Sequence, residues 1–250
     1  DADFILGDDL KACRVRNGFT AGRLIAEDGR VLIPLDDAAA GAPSHSIHLK
    51  PLAEDALSLP VRTGKARVIG IEPASLVTKS LVREVNTDDA GCFQSALNPG
   101  LTKIAVIERH KRTGKRGIGI LEGYGLTGGA IATTISHDSH NIVVAGDNDP
   151  DMLLAVRELA DMGGGIVSVH GGAIRRLPLP IAGLMTSADP QEVNAVLHDM
   201  LVAARAELGI PEDVEPFMTL SFMALPVIPE LKLTARGLFN VNTFSFVGVE

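Results

Sequence analysis

The sequence predicts an α+β fold: a mixed β-sheet with helices packed on it, preceded by a small β-sandwich segment. Three observations predict it. Short β-branched runs separated by turn residues fill the first half of the chain. Beyond Gly146 the apolar pattern changes, twice, from the period of a strand to that of a helix. Each helical stretch opens on the same device, Asp149-Pro150 and Asp189-Pro190, an acidic cap followed by a proline whose missing N–H costs nothing in a first turn.

Taken in order, Phe4-Ile5-Leu6 reads as a strand already under way, so the chain is expected to begin inside a longer polypeptide. Arg23-Leu24-Ile25-Ala26 and Arg30-Val31-Leu32-Ile33 flank Glu27-Asp28-Gly29, and Asp-Gly between two apolar runs predicts a hairpin. The stretch 36–60, rich in Ala, Pro, Ser and Asp, reads as a connecting arm and places the domain boundary there, with 1–58 as a first unit and 59–250 as a second. Strands are expected at Ala66–Ile71, Ile104–Glu108, Gly117–Glu122, Ala130–Ile135 and Asn141–Gly146, while 74–100 is poorly periodic. The first helix carries Met152, Leu153, Val156, Leu159 and Ala160 at helical spacing and ends on the glycines 163–165. Ile166–Val169 returns to strand, and the second helix runs through Val193, Val196, Leu197, Met200, Leu201 and Ala204 to Gly209. The apolar tail predicts strands at 218–222 and 243–248, and this order argues for helices on one face of the sheet.

Composition excludes several classes of function. A 46% hydrophobic fraction over 250 residues supplies a real core. A net charge of −8 and an aromatic fraction of 4% without tryptophan argue against nucleic acid, which needs a basic footprint and stacking platforms. The local basic run Arg109–Arg116 reads as a solvated turn between strands, or else as an anion site. Cys13 and Cys92 form neither a disulfide framework nor a metal knuckle, which suits a reducing cytoplasm. No apolar run reaches the roughly 18 residues that span a bilayer, so no membrane partner is expected. The glycine turns match neither the dinucleotide fingerprint nor a P-loop.

The densest polar cluster is Ser136-His137-Asp138-Ser139-His140-Asn141, set between two strongly apolar strands. Loops on rigid strands are where sites are built. Three readings stay open: a self-satisfied network in which Asp138 and Asn141 cap local backbone groups, a ligand-facing site, or a metal site from His137 and His140. The last lacks a third ligand. The proline-stiffened stretches Leu177–Met185 and Leu225–Leu233 suit buried irregular core or an interface.

Ile104–His110, Gly123-Tyr124-Gly125-Leu126 with Gly129–Ala132, Ser136–Asn141, Leu177–Met185, Pro216–Phe222 and Leu225–Thr234, all in one order, resemble the C-terminal domain of the bacterial adenine deaminase family across most of 60–250. Residues 1–35 resemble the strands that follow the barrel in amidohydrolases. The sequence departs from the family at Ala235, where an acidic residue is expected, and at Ala96–Pro99, where an Asp-containing turn is expected. The resemblance implies hydrolysis of adenine to hypoxanthine and ammonia at a binuclear manganese or iron site on a (β/α)8 barrel that precedes this chain. No H-x-H pair occurs here, so no metal ligand or catalytic residue is carried over. The expected partners are adenine, the chain's own N-terminal barrel and a second copy. His137, Asp138, Ser139, His140 and Asn141 are then expected to shape the substrate entrance or a domain interface. The alternatives are a structural dimerisation module and a free-standing purine-binding protein.

Overall fold

A computed structural model describes residues 2–34 and 43–250. They fall into two compact units, Asp1–Ala40 and Gly41–Glu250. The portion of the expected connecting arm at 36–42 lies outside the described residues.

The first unit is a four-stranded antiparallel sheet in chain order, β1 (Phe4–Asp9), β2 (Arg14–Thr20), β3 (Arg23–Glu27) and β4 (Arg30–Val31). Glu27 pairs with Arg30, leaving Asp28 and Gly29 as a two-residue loop with φ of 44° and 77°. Positive φ at both positions is the turn whose twist matches the flanking strands, so the predicted hairpin forms. Phe4 faces Phe19 across β1 and β2 with ring centroids 4.6 Å apart.

The second unit is built on an eight-stranded mixed sheet. Its strands are β5 (Lys65–Ile71), β6 (Thr78–Glu84), β7 (Leu101–Ile107), β8 (Arg116–Glu122), β9 (Gly129–Thr133), β10 (Ile142–Gly146), β11 (Gly165–His170) and β12 (Ala173–Pro178). Their spatial order is β12-β11-β9-β10-β7-β8-β5-β6. Only β5 and β8 run parallel among these neighbours. Helix α1 (Asp149–Asp161) joins β10 to β11; α2 (Pro190–Ala206) and α3 (Pro216–Phe222) follow β12. A small antiparallel sheet, β13 (Leu231–Thr234), β14 (Gly237–Asn240) and β15 (Ser245–Phe246), closes the chain.

The central strands are buried on both faces, and successive side chains feed two different cores. Ala105, Ala132, Val144 and Val167 pack with Met152, Val156 and Leu159 of α1. Ile104, Val106, Ile131 and Val143 pack on the other side with Met200 and Ala204 of α2, Phe217 and Leu220 of α3, and Leu233 of β13. The helices therefore cover both faces of the sheet, where one face was expected. The chain needs this because β9 and β10 are buried at every position and apolar at all but Thr133, so either face left bare would expose aliphatic side chains.

Several local expectations shift. Residues 218–222, expected as a strand, belong to α3, whose Pro216 sits in the first turn and whose Glu215 carboxylate accepts the Met218 N–H. Of the strand expected at 243–248, only Ser245–Phe246 pairs. The cap of α1 is Asn148, one residue before Asp149, with Oδ1 accepting the Asp151 N–H at 2.9 Å. Ala56 and Leu57, at the end of the expected first unit, are buried in the core with Met152, Val156 and Leu159 of α1. No helix among the described residues is long and apolar enough to cross a membrane.

Candidate functional site

The loop 134–141 joins β9 to β10 across a register in which Thr133 opposes Val143. Both strands are fully buried, so the loop is carried on a rigid base. Thr134 starts it and is tied down twice: its hydroxyl donates to the Gly183 carbonyl at 2.5 Å and accepts the Gly165 N–H at 2.8 Å.

Arg109, just past β7, holds the far side. Its guanidinium is buried and donates to the carbonyls of His140, Ser46 and Ala182, the last two at 3.2 and 3.0 Å, and to Ser46 Oγ at 3.0 Å. No carboxylate among the described residues pairs with it, so burial lowers its affinity for the proton, and four oxygen acceptors stand in for a counter-ion. The residue that leads the basic run is thus an internal clamp. The solvated-turn expectation fits the remainder better. Glu108 closes that turn by accepting the N–H groups of His110, Lys111 and Thr113 and the Thr113 hydroxyl. Burial pushes the Glu108 carboxyl up, but those four donors outweigh it and leave its pKa at about 2.

Within the loop, two histidines have different surroundings. His140 adopts a φ of 46°; its N–H donates to the Ser136 carbonyl at 2.5 Å, and its Nδ1 accepts the Ser136 N–H at 3.3 Å. An Nδ1 that accepts must carry its proton on Nε2. Burial first, then the neighbouring His137 and Arg109, hold the His140 imidazole below its ordinary pKa, with Asp138 opposing. His140 is therefore neutral at physiological pH, in the tautomer its hydrogen bond requires. His137 is anchored through its backbone N–H to the Ser221 carbonyl at 3.1 Å. Its ring lies 4.8 Å from the Phe222 ring, and its nitrogens make no hydrogen bond among the described residues. Asn141 is buried; its Nδ2 donates to Ser139 Oγ at 3.2 Å and its Oδ1 accepts the Arg109 N–H at 3.4 Å. His110 Nε2 meets the Ser139 carbonyl at 2.8 Å. Ser136 Oγ is buried and has no hydrogen-bond partner among the described residues.

The five candidate residues therefore divide by the direction they face. His137 lines a cavity of about 280 Å³ between α2, α3 and the end of β9, shared with Ile135, Leu197, Glu215 and Phe217. Asp138, Ser139 and Asn141 line a separate open depression of about 500 Å³ with Val227, Arg236 and Phe246. His140 turns inward onto the loop backbone. Among the described residues no three His, Cys, Asp or Glu side chains converge as a metal would need. The donor set fits neither manganese nor iron, since His137 and His140, with ring centroids 5.6 Å apart, find no third ligand. Phe222, Glu215 and Arg236, which complete the two depressions, lie some 80 residues or more along the chain, and no local pattern joins them to the loop. The loop itself was visible in the sequence as six adjacent polar residues between apolar strands.

Comparison with known proteins assigns the sequence to a family. Residues 75–245 match the adenine deaminase C-terminal domain family. An adenine deaminase of Nitratidesulfovibrio vulgaris Hildenborough is 56% identical over 249 residues, which are 99% of this chain and 43% of that protein. Adenine deaminase 2 of Carboxydothermus hydrogenoformans is 44% identical over 252 residues, again 99% of this chain and 43% of that protein. The adenine deaminase of Geobacillus kaustophilus is 42% identical over 255 residues, covering 100% of this chain and 44% of its own length. The chain thus spans less than half the length of the curated relatives it matches. By its sequence over most of its length, this chain belongs to the adenine deaminase C-terminal domain family.

Proposed function

We propose that this chain is the accessory C-terminal portion of an adenine deaminase, and that the whole polypeptide hydrolyses adenine to hypoxanthine and ammonia. One observation carries the reading: 99% of the chain aligns at 56% identity with 43% of an adenine deaminase. In this reading the chain supplies no catalytic residue, and the manganese or iron pair that the resemblance implies belongs to a barrel in the part of the relatives' length that this chain does not span. The chain's own groups offer positioning. Arg109 and Thr134 fix the 134–141 loop on rigid strands, and the loop presents His137 to one side and Asp138 and Ser139 to the other. We place that loop at the substrate entrance or at the face that meets the barrel. The four-stranded first unit leaves Phe4, Ile5, Leu6, Val31 and Leu32 exposed, as expected of half a β-sandwich whose other strands come from elsewhere in the polypeptide.

His140→Ala in the complete enzyme tests the loop's role. The substitution removes the acceptor of the Ser136 N–H and the inward ring, so the reading expects kcat/KM for adenine to fall about tenfold, the worth of roughly 1.4 kcal/mol of lost positioning. An unchanged kcat/KM would show that the loop only satisfies itself. The structural alternative, a dimerisation module, predicts a dimer for the complete enzyme and loss of that dimer, with activity intact, on replacing exposed Val227 by Glu.

A further inference from the structure

We infer that the cavity between α2, α3 and the end of β9 binds one neutral, planar nitrogen heterocycle of nucleobase size. The cavity measures about 280 Å³ and is walled mainly by Ile135, Ile166, Leu197 and Phe217, with His137 and Glu215 as its titratable groups. A mostly apolar concavity with a few convergent polar groups is the common form of a small-molecule site, and this volume lies at the small end of the range, about 300 Å³, so a single ring system fits and a nucleotide does not. Among the described residues no lysine or arginine lines it, so a phosphate brought there would lose its water without gaining a counter-charge.

The polar groups match such a heterocycle. The His137 nitrogens make no hydrogen bond among the described residues, and its ring lies on Phe222 at 4.8 Å with a 30° tilt, an aromatic ledge against which a flat base can stack. One Glu215 oxygen caps α3 through the Met218 N–H. Burial raises the Glu215 carboxyl above the usual carboxylate range, against the backbone N–H groups that pull it down. A carboxyl group in either form offers an acceptor oxygen to the amino or ring N–H edge of such a base. The proposed function puts the loop that carries His137 at the substrate entrance or the barrel face and assigns this cavity no ligand of its own. The choice of adenine and hypoxanthine as ligands rests on that functional reading; the cavity and its chemistry do not.

Calorimetric titration of the 250-residue chain tests the inference, since the chain has no tryptophan to report binding. Adenine and hypoxanthine are expected to bind saturably at one site, and adenosine monophosphate at least tenfold more weakly. Leu197→Trp fills the cavity from the half-buried middle of α2 and should abolish binding while leaving the thermal midpoint close to that of the parent. His137→Ala, at a half-exposed position, should weaken binding about tenfold and serves if the tryptophan variant does not fold. No saturable heat with either base, equal affinity for the monophosphate, or affinity untouched by both substitutions would overturn the site. Ammonia release by the complete enzyme is read in parallel. Turnover without base binding here overturns this site and leaves the deaminase reading standing; base binding here without turnover does the reverse.

Discussion

Arg109 shows how a single side chain can organise a loop without an ion pair. Its four acceptors come from residues 46, 140 and 182, so one guanidinium ties three distant segments together. Arg109→Met keeps the length but leaves those buried oxygens unpaired. At about 1 kcal/mol for each unpaired group, urea unfolding should show a loss of about 3–4 kcal/mol. A loss under 1 kcal/mol would mean that water replaces the guanidinium. Lys232 is the opposite case, a buried cation that costs stability. Its ammonium is fully buried and donates to the Leu76 carbonyl at 2.8 Å, with no carboxylate partner among the described residues. Burial lowers its pKa from 10.5 to about 8. The folded state therefore disfavours the charged form: the cost is complete below pH 8 and fades as the pH rises toward the ordinary lysine value. That gap caps the cost near 3 kcal/mol. The hydrogen bond lost on substitution offsets about 1 kcal/mol. Lys232→Met should then stabilise the chain by about 2 kcal/mol at pH 7, and the gain should shrink or reverse by pH 10. A gain that does not change with pH would contradict the sign worked out here.

Among elements, the sheet was legible at its centre and obscure at its edges. β10, the Ile104–Ile107 part of β7 and the Ala130–Ala132 part of β9 are continuous apolar runs because both of their faces are covered, and the runs show in the sequence directly. The two edge strands, β6 and β12, do not show, because Lys79, Arg83, Arg175 and Arg176 break their apolar pattern. Charges at sheet edges discourage pairing with another chain, and the feature that protects these strands also conceals them. Helices α1 and α2 were legible from their Asp-Pro starts and long periodicity. The seven residues of α3 were not, since an apolar run of that length carries no distinguishable period. The Pro216 after Glu215 was the available signal. The candidate loop was legible as a polar cluster, but the division of its residues between two depressions depends on Phe222, Glu215 and Arg236, which only the fold brings near. Packing is tightest where β9 begins: a Cβ on Gly129 would lie 1.9 Å from the Val169 carbonyl oxygen and 2.9 Å from a Leu208 methyl. The backbone contact cannot yield without breaking the β9–β11 ladder. Gly129→Ala is therefore expected to cost at least about 3 kcal/mol or to prevent folding, read as soluble yield and thermal midpoint. A variant as stable as the parent would show that the two strands can separate cheaply.

At the scale of the whole molecule, the chain has a well-filled core, a rigidly mounted polar loop and, among the described residues, no convergent metal ligands. Its relatives are more than twice its length. In the function proposed above, the chain shapes or steadies a reaction carried out elsewhere in the polypeptide. The direct comparison is ammonia release from adenine, with manganese or ferrous iron supplied, by two proteins: the purified 250-residue chain, and a chimera in which this chain replaces the matching C-terminal segment of the 56% identical relative. The expected result is no release from the chain alone and turnover from the chimera within about tenfold of the intact relative. Release from the chain alone, or a folded chimera that is inactive, would contradict the role proposed for it.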